Sequence, residues 1–145
     1  MTILLYRAKL KRSKILRYAE RGNSMSKFVL RPVSTGYKFD LTATNGQVIL
    51  SSEIYASRAA AIKGIASVRL CAPIASVENQ TEEGFKTETN PKFEMYQDKA
   101  GEFRFRLKAR NGKIIGTSEG YTAKAGCLGG IDSVMNNAAE AETEE

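Results

Sequence analysis

From Phe103 to Arg110 the chain alternates without a break. Phe103, Phe105, Leu107 and Ala109 fall on one side, Arg104, Arg106, Lys108 and Arg110 on the other. A strict period of two is the mark of a strand with one face buried and one in water. Tyr37–Thr44 carries the same pattern, with Phe39, Leu41 and Ala43 inward and Lys38, Asp40, Thr42 and Thr44 outward. Each run ends in Asn-Gly, at Asn45-Gly46 and Asn111-Gly112. Asn and Gly tolerate the two positive φ angles of a type I′ turn, so each pair predicts a two-residue hairpin loop. That loop would set Arg110 opposite Lys113, Lys108 opposite Ile115, Arg106 opposite Thr117, Arg104 opposite Glu119 and Lys38 opposite Glu53. The basic residue facing a glutamate in both hairpins reads as an exposed cross-strand ion pair, worth about a few tenths of a kcal/mol. We prefer that account of Glu53 and Glu119 to a general-base role.

Beyond each hairpin the period lengthens. Ala61, Ile65 and Val68 recur at i, i+4 and i+7, as do Cys127, Ile131 and Val134. This spacing gives one apolar helical face, packed on the inward side of the strands. Ser57 and Thr122 are the predicted N-caps. Gly64 and Gly130 lie inside these helices, where glycine is ~1 kcal/mol worse than alanine. Equivalent placement of both points to close backbone packing, of helix on sheet or helix on helix. Cys127 stands where the first helix has Ala61, so it reads as a small buried side chain.

These parallels are one internal repeat. Displacing the chain by 66 residues aligns Tyr37–Val68 with Phe103–Val134 and gives fourteen identities in 32 positions without a gap. Upstream, with one residue of slack, Phe28 aligns with Phe93 and Gly36 with Gly101. Each copy therefore reads as three strands followed by a helix, with first strands near Lys27–Arg31 and Lys92–Gln97. Ala72-Pro73 stops the first helix, and Ile74–Glu78 is a candidate fourth strand. The organisation is a basic segment 1–24, a first repeat 25–78, an acidic linker 79–91 and a second repeat 92–145, with 25–145 one structural unit.

Charge is unevenly placed. The chain has 145 residues, 22 basic and 16 acidic, and a net charge of +6. Residues 1–24 hold seven of the basic side chains and only Glu20 of the acidic ones, leaving fifteen of each in the remainder. Three readings of that segment stay open. Leu4, Ala8, Ile15 and Ala19 share a helical side on which Lys11 and Arg12 intrude, a weak membrane-surface pattern. An Arg-rich, acid-poor leader also fits a transit peptide. Alternatively Met25 is the true start, with the codons of Glu20-Arg21-Gly22 forming a purine-rich ribosome-binding site.

Composition removes whole classes of chemistry. There is no histidine, which excludes Ser-His-Asp and Cys-His nucleophilic triads. Two cysteines, Cys71 and Cys127, cannot supply a tetrahedral zinc site, and no metal or other cofactor is expected. They are also too few for a secreted disulfide scaffold, which favours a reducing, cytoplasmic compartment. No apolar run approaches the ~20 residues that span a bilayer. Gly126-Cys127 and Gly129-Gly130 lack a following Gly-Lys-Ser/Thr and fall within a helix, so they are no phosphate loop.

The two stretches, with their alternating aromatic strand, Asn-Gly, Ser-Glu-x-Tyr and Gly-Ile-x-Ser-Val, resemble the YegP-like family. These are small bacterial proteins, often tandem duplications, of unknown function. The resemblance covers Met25 to about Glu78 and Pro91 onward. It implies an α+β fold of tandem β3-α-β repeats sharing one antiparallel sheet, with the C-terminal strand of each repeat exchanged into the other half and two helices on one face. Ile74–Glu78 would complete the second copy's sheet and Ala141–Glu144 the first's. It also implies that single-copy relatives reach this arrangement as homodimers, whereas a two-copy chain can do so as a monomer or weak homo-oligomer. It brings no catalytic residues.

Three functions compete on this basis. The first is a non-catalytic binding or structural module. The alternative is nucleic-acid or anion binding through Arg104, Arg106, Lys108, Arg110 and Lys113 on the second copy's open sheet face. Against it, Glu119 and Glu94 should share that face, Phe103 and Phe105 point inward, and Tyr96 alone remains for stacking. The third is an enzyme without histidine, using carboxylate or lysine chemistry, in which Asp98 and Glu102 would pair at a hairpin tip and Tyr55 and Tyr121 follow the two Ser-Glu motifs. A hairpin tip keeps such groups exposed and ordinary in pKa.

Overall fold

The computed structural model describes residues 25–145, so all three readings of 1–24 lie outside the described residues. Each repeat forms the expected meander and helix. The first contributes β1 (Lys27–Val33), β2 (Gly36–Thr42), β3 (Val48–Ser51), α1 (Arg58–Cys71) and β4 (Ser76–Asn79); a 3-10 turn, Ala72–Ile74, precedes β4. The second contributes β5 (Lys92–Gln97), β6 (Phe103–Lys108), β7 (Ile114–Thr117), α2 (Lys124–Asn137) and β8 (Glu142–Glu144). All eight strands form one sheet in the order β4-β5-β6-β7-β3-β2-β1-β8. The exchange is reciprocal: β4 pairs with β5 and β8 with β1. Both exchanged strands run parallel to their partners while the six meander strands pair antiparallel, so the sheet is mixed.

Alternation and helical period find one core. Phe39, Leu41, Phe105 and Leu107 are fully buried beneath Ala61, Ile65, Val68, Cys127, Ile131 and Val134. The two helical glycines bring helix to sheet. A Cβ on Gly64 would come within 2.6 Å of Tyr55 Cζ and 3.0 Å of Phe39 Cε2; one on Gly130 would reach 2.9 Å from Tyr121 Cζ and 3.1 Å from Phe105 Cε2. The tyrosine of each Ser-Glu-x-Tyr motif is thus wedged under its helix and stacked on the strand's phenylalanine, at 6.0 Å in one copy and 6.4 Å in the other.

At the centre of the sheet the halves meet through one bridge, Ser51 to Thr117. These residues are repeat equivalents, so a pseudo-twofold axis passes between them. Their neighbours Leu50 and Gly116 are also equivalents. A Cβ on Gly116 would come within 2.5 Å of Leu50 Cδ2 and Cγ, so the leucine fills the space its counterpart leaves empty.

Several local expectations are corrected. Each Asn-Gly belongs to a three-residue loop rather than a type I′ turn. Ala43 N bonds Gln47 O and Gly46 N bonds Ala43 O; Ala109 N bonds Lys113 O and Gly112 N bonds Ala109 O. Only the glycines, Gly46 at φ 84° and Gly112 at φ 83°, take positive φ, so both loops are turns closed by a glycine bulge. The bulge shifts the register, and Lys108 faces Ile114 rather than Ile115, although Arg106 faces Thr117 as expected. Neither Lys38–Glu53 nor Arg104–Glu119 forms an ion pair among the described residues; both glutamates are exposed. The serine before each has the repeated role instead. Ser52 Oγ accepts from Phe39 N at 2.9 Å and donates to Glu53 O at 2.7 Å, while Ser118 Oγ accepts from Phe105 N at 2.8 Å and donates to Glu119 O at 2.8 Å. Ser57 caps α1 by accepting from Ala60 N at 3.1 Å, but α2 starts after Ala123, not Thr122, and has no side-chain cap.

Two substitutions test this packing. Gly64→Ala should lower stability by about 1–3 kcal/mol in urea unfolding despite alanine's better helix propensity, because overpacking outweighs it. The Gly64→Ala, Tyr55→Phe double variant should recover part of the loss. Gly116→Leu should destabilise the protein by a similar margin, and the swap Leu50→Gly with Gly116→Leu should recover more than the two single effects allow. Independent, additive effects in that cycle would refute the seam packing.

Candidate functional site

The open face of the second half carries the basic strand that sequence singles out, and its pleat decides which charges meet. β5 lies antiparallel beside β6, placing Glu94 opposite Arg106, Lys92 opposite Lys108 and Tyr96 opposite Arg104. Two lysines directly opposite would repel. Glu94 resolves this as the hub of the cluster, at 2.6 Å from Arg106 Nε, 3.2 Å from Lys108 Nζ and 3.2 Å from Lys92 Nζ. The exchanged strand adds a second carboxylate. Glu78 on β4 stands beside Glu94 and takes Lys92 Nζ at 2.8 Å.

The linker closes over this corner: Gln80 Nε2 donates to Glu78 at 2.6 Å and the Glu88 backbone N–H donates at 2.7 Å. Glu78 is only 2% exposed and Glu94 3%. Burial pushes the Glu78 carboxyl up, yet the bonds from Lys92, Gln80 and Glu88 overcome it and hold the group at about 2. Glu94 is likewise lowered: burial opposes, and Arg106, Lys108 and Lys92 prevail. The Lys92 ammonium is held above its usual range, chiefly by its bond to Glu78.

The five basic residues thus divide. Arg104 turns to Asp98 at 2.7 Å, rather than to Glu119, and Asp98 is lowered by that bond. Arg106 is bound to Glu94 and lies over the Tyr96 ring at 4.5 Å, covering the aromatic that the sequence offered on this face for stacking. Lys108 is bound to Glu94. Arg110 and Lys113, at the loop, are exposed, and their side chains have no hydrogen-bond or ion-pair partner among the described residues. The structure brings Arg104, Arg106 and Lys108 together on carboxylates and leaves the remaining two at the strand's far end.

Sequence reasoning anticipated Glu94 here but missed Glu78 and Lys92, and it placed Asp98 with Glu102 rather than with Arg104. The missing signal was a repeated one. Lys27 and Glu144, the equivalents of Lys92 and Glu78, pair at 3.3 Å across the other exchanged strand. On that side α1 adds Arg69, which donates to Ala141 O at 2.8 Å and Thr143 Oγ1 at 2.9 Å and lies over Phe28 at 4.9 Å, and Arg58, which is paired with Glu145.

Among the described residues no group of three or more Cys, Asp and Glu side chains could hold a metal ion. No described helix is long and apolar enough to cross a membrane. Both cysteines are free and buried, and burial raises the Cys127 thiol to about 11. Asp98 reaches back to the Glu102 backbone N–H, not to its carboxyl.

The cluster predicts an acid limb in stability. A carboxylate held at about 2 against an ordinary 4.5 contributes fully above the higher value and loses its contribution as pH falls toward the lower. Urea midpoints should therefore fall between about pH 5 and pH 2. Glu78→Gln should flatten that limb while destabilising the protein most at neutral pH. An unchanged limb would remove Glu78 from the cause.

Comparison with known proteins agrees with this duplicated geometry. The model of a domain of unknown function, DUF1508, matches residues 34–79 and again 98–145, one span per repeat. A UPF0339 protein of Mannheimia succiniciproducens is 47% identical over 103 residues, covering 71% of this chain and 78% of the relative. A UPF0339 protein of Treponema denticola is 57% identical over 54 residues, which is 37% of this chain but 93% of that shorter relative. The solution NMR structure of yegP from E. coli, a protein of unknown function, superimposes with a TM-score of 0.66 at 36% identity, covering 83% of this chain and 91% of that one. Matched in each half by one domain model and along most of its length by a YegP structure, the chain belongs to the DUF1508 family, the YegP-like proteins of unknown function.

Proposed function

We propose that this protein is a non-catalytic binding or structural module. One observation carries the reading: every large displacement of a titratable group leads away from neutrality. Glu78 is held at about 2 and Cys127 at about 11. Glu94 and Asp98 are lowered, and Tyr55 and Tyr121 are raised by burial. A general acid or base works best with a pKa near the working pH, and a nucleophile needs its anion accessible. These groups have been moved the opposite way. No relative compared carries a catalytic name. Two buried thiols suit a reducing compartment and support a cytoplasmic location.

Nucleic-acid binding through the basic strand is the weaker reading. Phosphate would have to displace Glu94 from Arg106 and Lys108, and Asp98 from Arg104. Such partners bound within the protein release no counterions when nucleic acid arrives. Fluorescence anisotropy of the full chain with single-stranded DNA, from low to high salt, separates the two readings. Arg106→Gln should leave both affinity and salt slope unchanged. A slope reduced by about one would restore the phosphate-tracking strand.

A further inference from the structure

The repeat provides an internal control for the surface away from the seam, because an exposed side chain that each copy's own packing requires should recur 66 residues away. At the C-terminal end of α1 one patch fails that test. Leu70 is 74% exposed and Ile74, one turn on, 58% exposed. The equivalent positions hold Asn136 and Glu140. Leu70 forms one wall of a groove of about 280 Å³ whose lining also includes Ser67, Cys71, Ala109, Arg110 and Asn111. Ser67, Ala109 and Asn111 are identical in both repeats, so much of the groove's floor belongs to the fold.

Its rim does not. Arg110 corresponds to Thr44, and Lys113, across the same loop, corresponds to Gln47. Leu70 comes from the first repeat and Arg110 from the second, and they line one groove only because the sheet is shared; Ile74 lies one turn beyond Leu70, and Lys113 across the loop from Arg110. Neither cation has an ion-pair partner among the described residues, in contrast to Arg104, Arg106 and Lys108 on the same strand.

We propose that this groove docks a segment of a partner protein that carries an apolar side chain flanked by carboxylates. The proposal rests on the reading of the protein as a binding module and gives that module a face. The apolar side chain would cover Leu70 and Ile74, which no other described residue buries. The carboxylates would meet Arg110 and Lys113, supplying the charge complement the loop lacks. A phosphate ligand would use the cations alone and leave the leucine and isoleucine without a purpose, so an acidic peptide fits better than nucleic acid.

The test is an amide-shift titration of the isotope-labelled full chain with three probes: a short acetylated Leu/Glu peptide, its Leu/Lys counterpart and oligo(dT). The Leu/Glu peptide should give saturable shifts confined to Ser67–Ala72 and Ala109–Lys113, with the other two silent there. Leu70→Ser and Arg110→Glu should each weaken that binding about tenfold. Both side chains are exposed and make no hydrogen bond among the described residues, so the variants should keep native spectra. Equal response to the Leu/Lys peptide or to oligo(dT), or no shift at millimolar Leu/Glu peptide, overturns the proposal. Groove shifts that change on dilution alone would identify a second copy of this chain as the occupant and also overturn it. Saturable shifts mapping elsewhere would refute the groove while leaving a binding module intact.

Discussion

One leucine seated in the space of one missing side chain fixes how the two repeats meet. At the pseudo-twofold seam, equivalent positions come face to face, so whatever one repeat presents the other also presents unless the sequences diverge. Two leucines at positions 50 and 116 would collide, and two glycines would leave a void. The Leu50–Gly116 pair avoids both, and only a chain with two different copies can supply it. With the seam closed, α1 packs across it on β7 and α2 on β3, and both sets of strands share one interior.

The exchanged strands follow from the same closure. A three-stranded meander leaves its first strand with an open edge, whose unpaired backbone groups invite association. Here β8 covers β1 and β4 covers β5, so each repeat satisfies the other's edge. A lysine on the receiving strand and a glutamate on the arriving one mark both junctions. The interior junction is buried and reinforced by the linker. The C-terminal junction is exposed, and β8 leans on Arg58 and Arg69 of α1 instead. The asymmetry fits connectivity: the linker that leaves β4 folds back over its junction and donates to Glu78.

Much of this was legible in sequence because it is periodic. Phe105 and Leu107 inward, Arg106 and Lys108 outward, and Ile65 and Val68 on one helical face need only the repeat lengths of strand and helix. The turn was misread because Asn-Gly serves two loops, and only the bulge, which shifts Lys108 onto Ile114, distinguishes them. The ion pairs were misread with it. Opposition across β6 and β7 suggested Arg104–Glu119, but the pairs formed across β5, whose turn at Asp98–Glu102 makes the same hydrogen bonds around a positive-φ glycine without an Asn-Gly pair to announce it. Glu78 could not be recognised as buried from its own neighbourhood, since its environment comes from β5 and from residues ten to fourteen further along. The basic stripe was visible; the carboxylates that occupy it were not.

A duplicated chain separates what folds from what has been added. Phe39/Phe105, Tyr55/Tyr121, Ser52/Ser118 and Gly64/Gly130 agree because each copy needs the same strand, wedge, clasp and close approach. Where copies disagree, the fold has permitted a difference, and its purpose must be sought in the assembled molecule. For Leu50 and Gly116 that purpose is the seam. For Glu94, which replaces Val29, it is the basic strand: the second copy has arginines where the first has Asp40 and Lys38, and a buried carboxylate that holds one of them. Arg106 and Glu94 therefore change together as a charge-balanced unit. Leu70, Ile74, Arg110 and Lys113 also depart from their counterparts, yet have no such compensating partner among the described residues. A surface that diverges and stays unbalanced among the described residues is where the proposed partner would supply the complement.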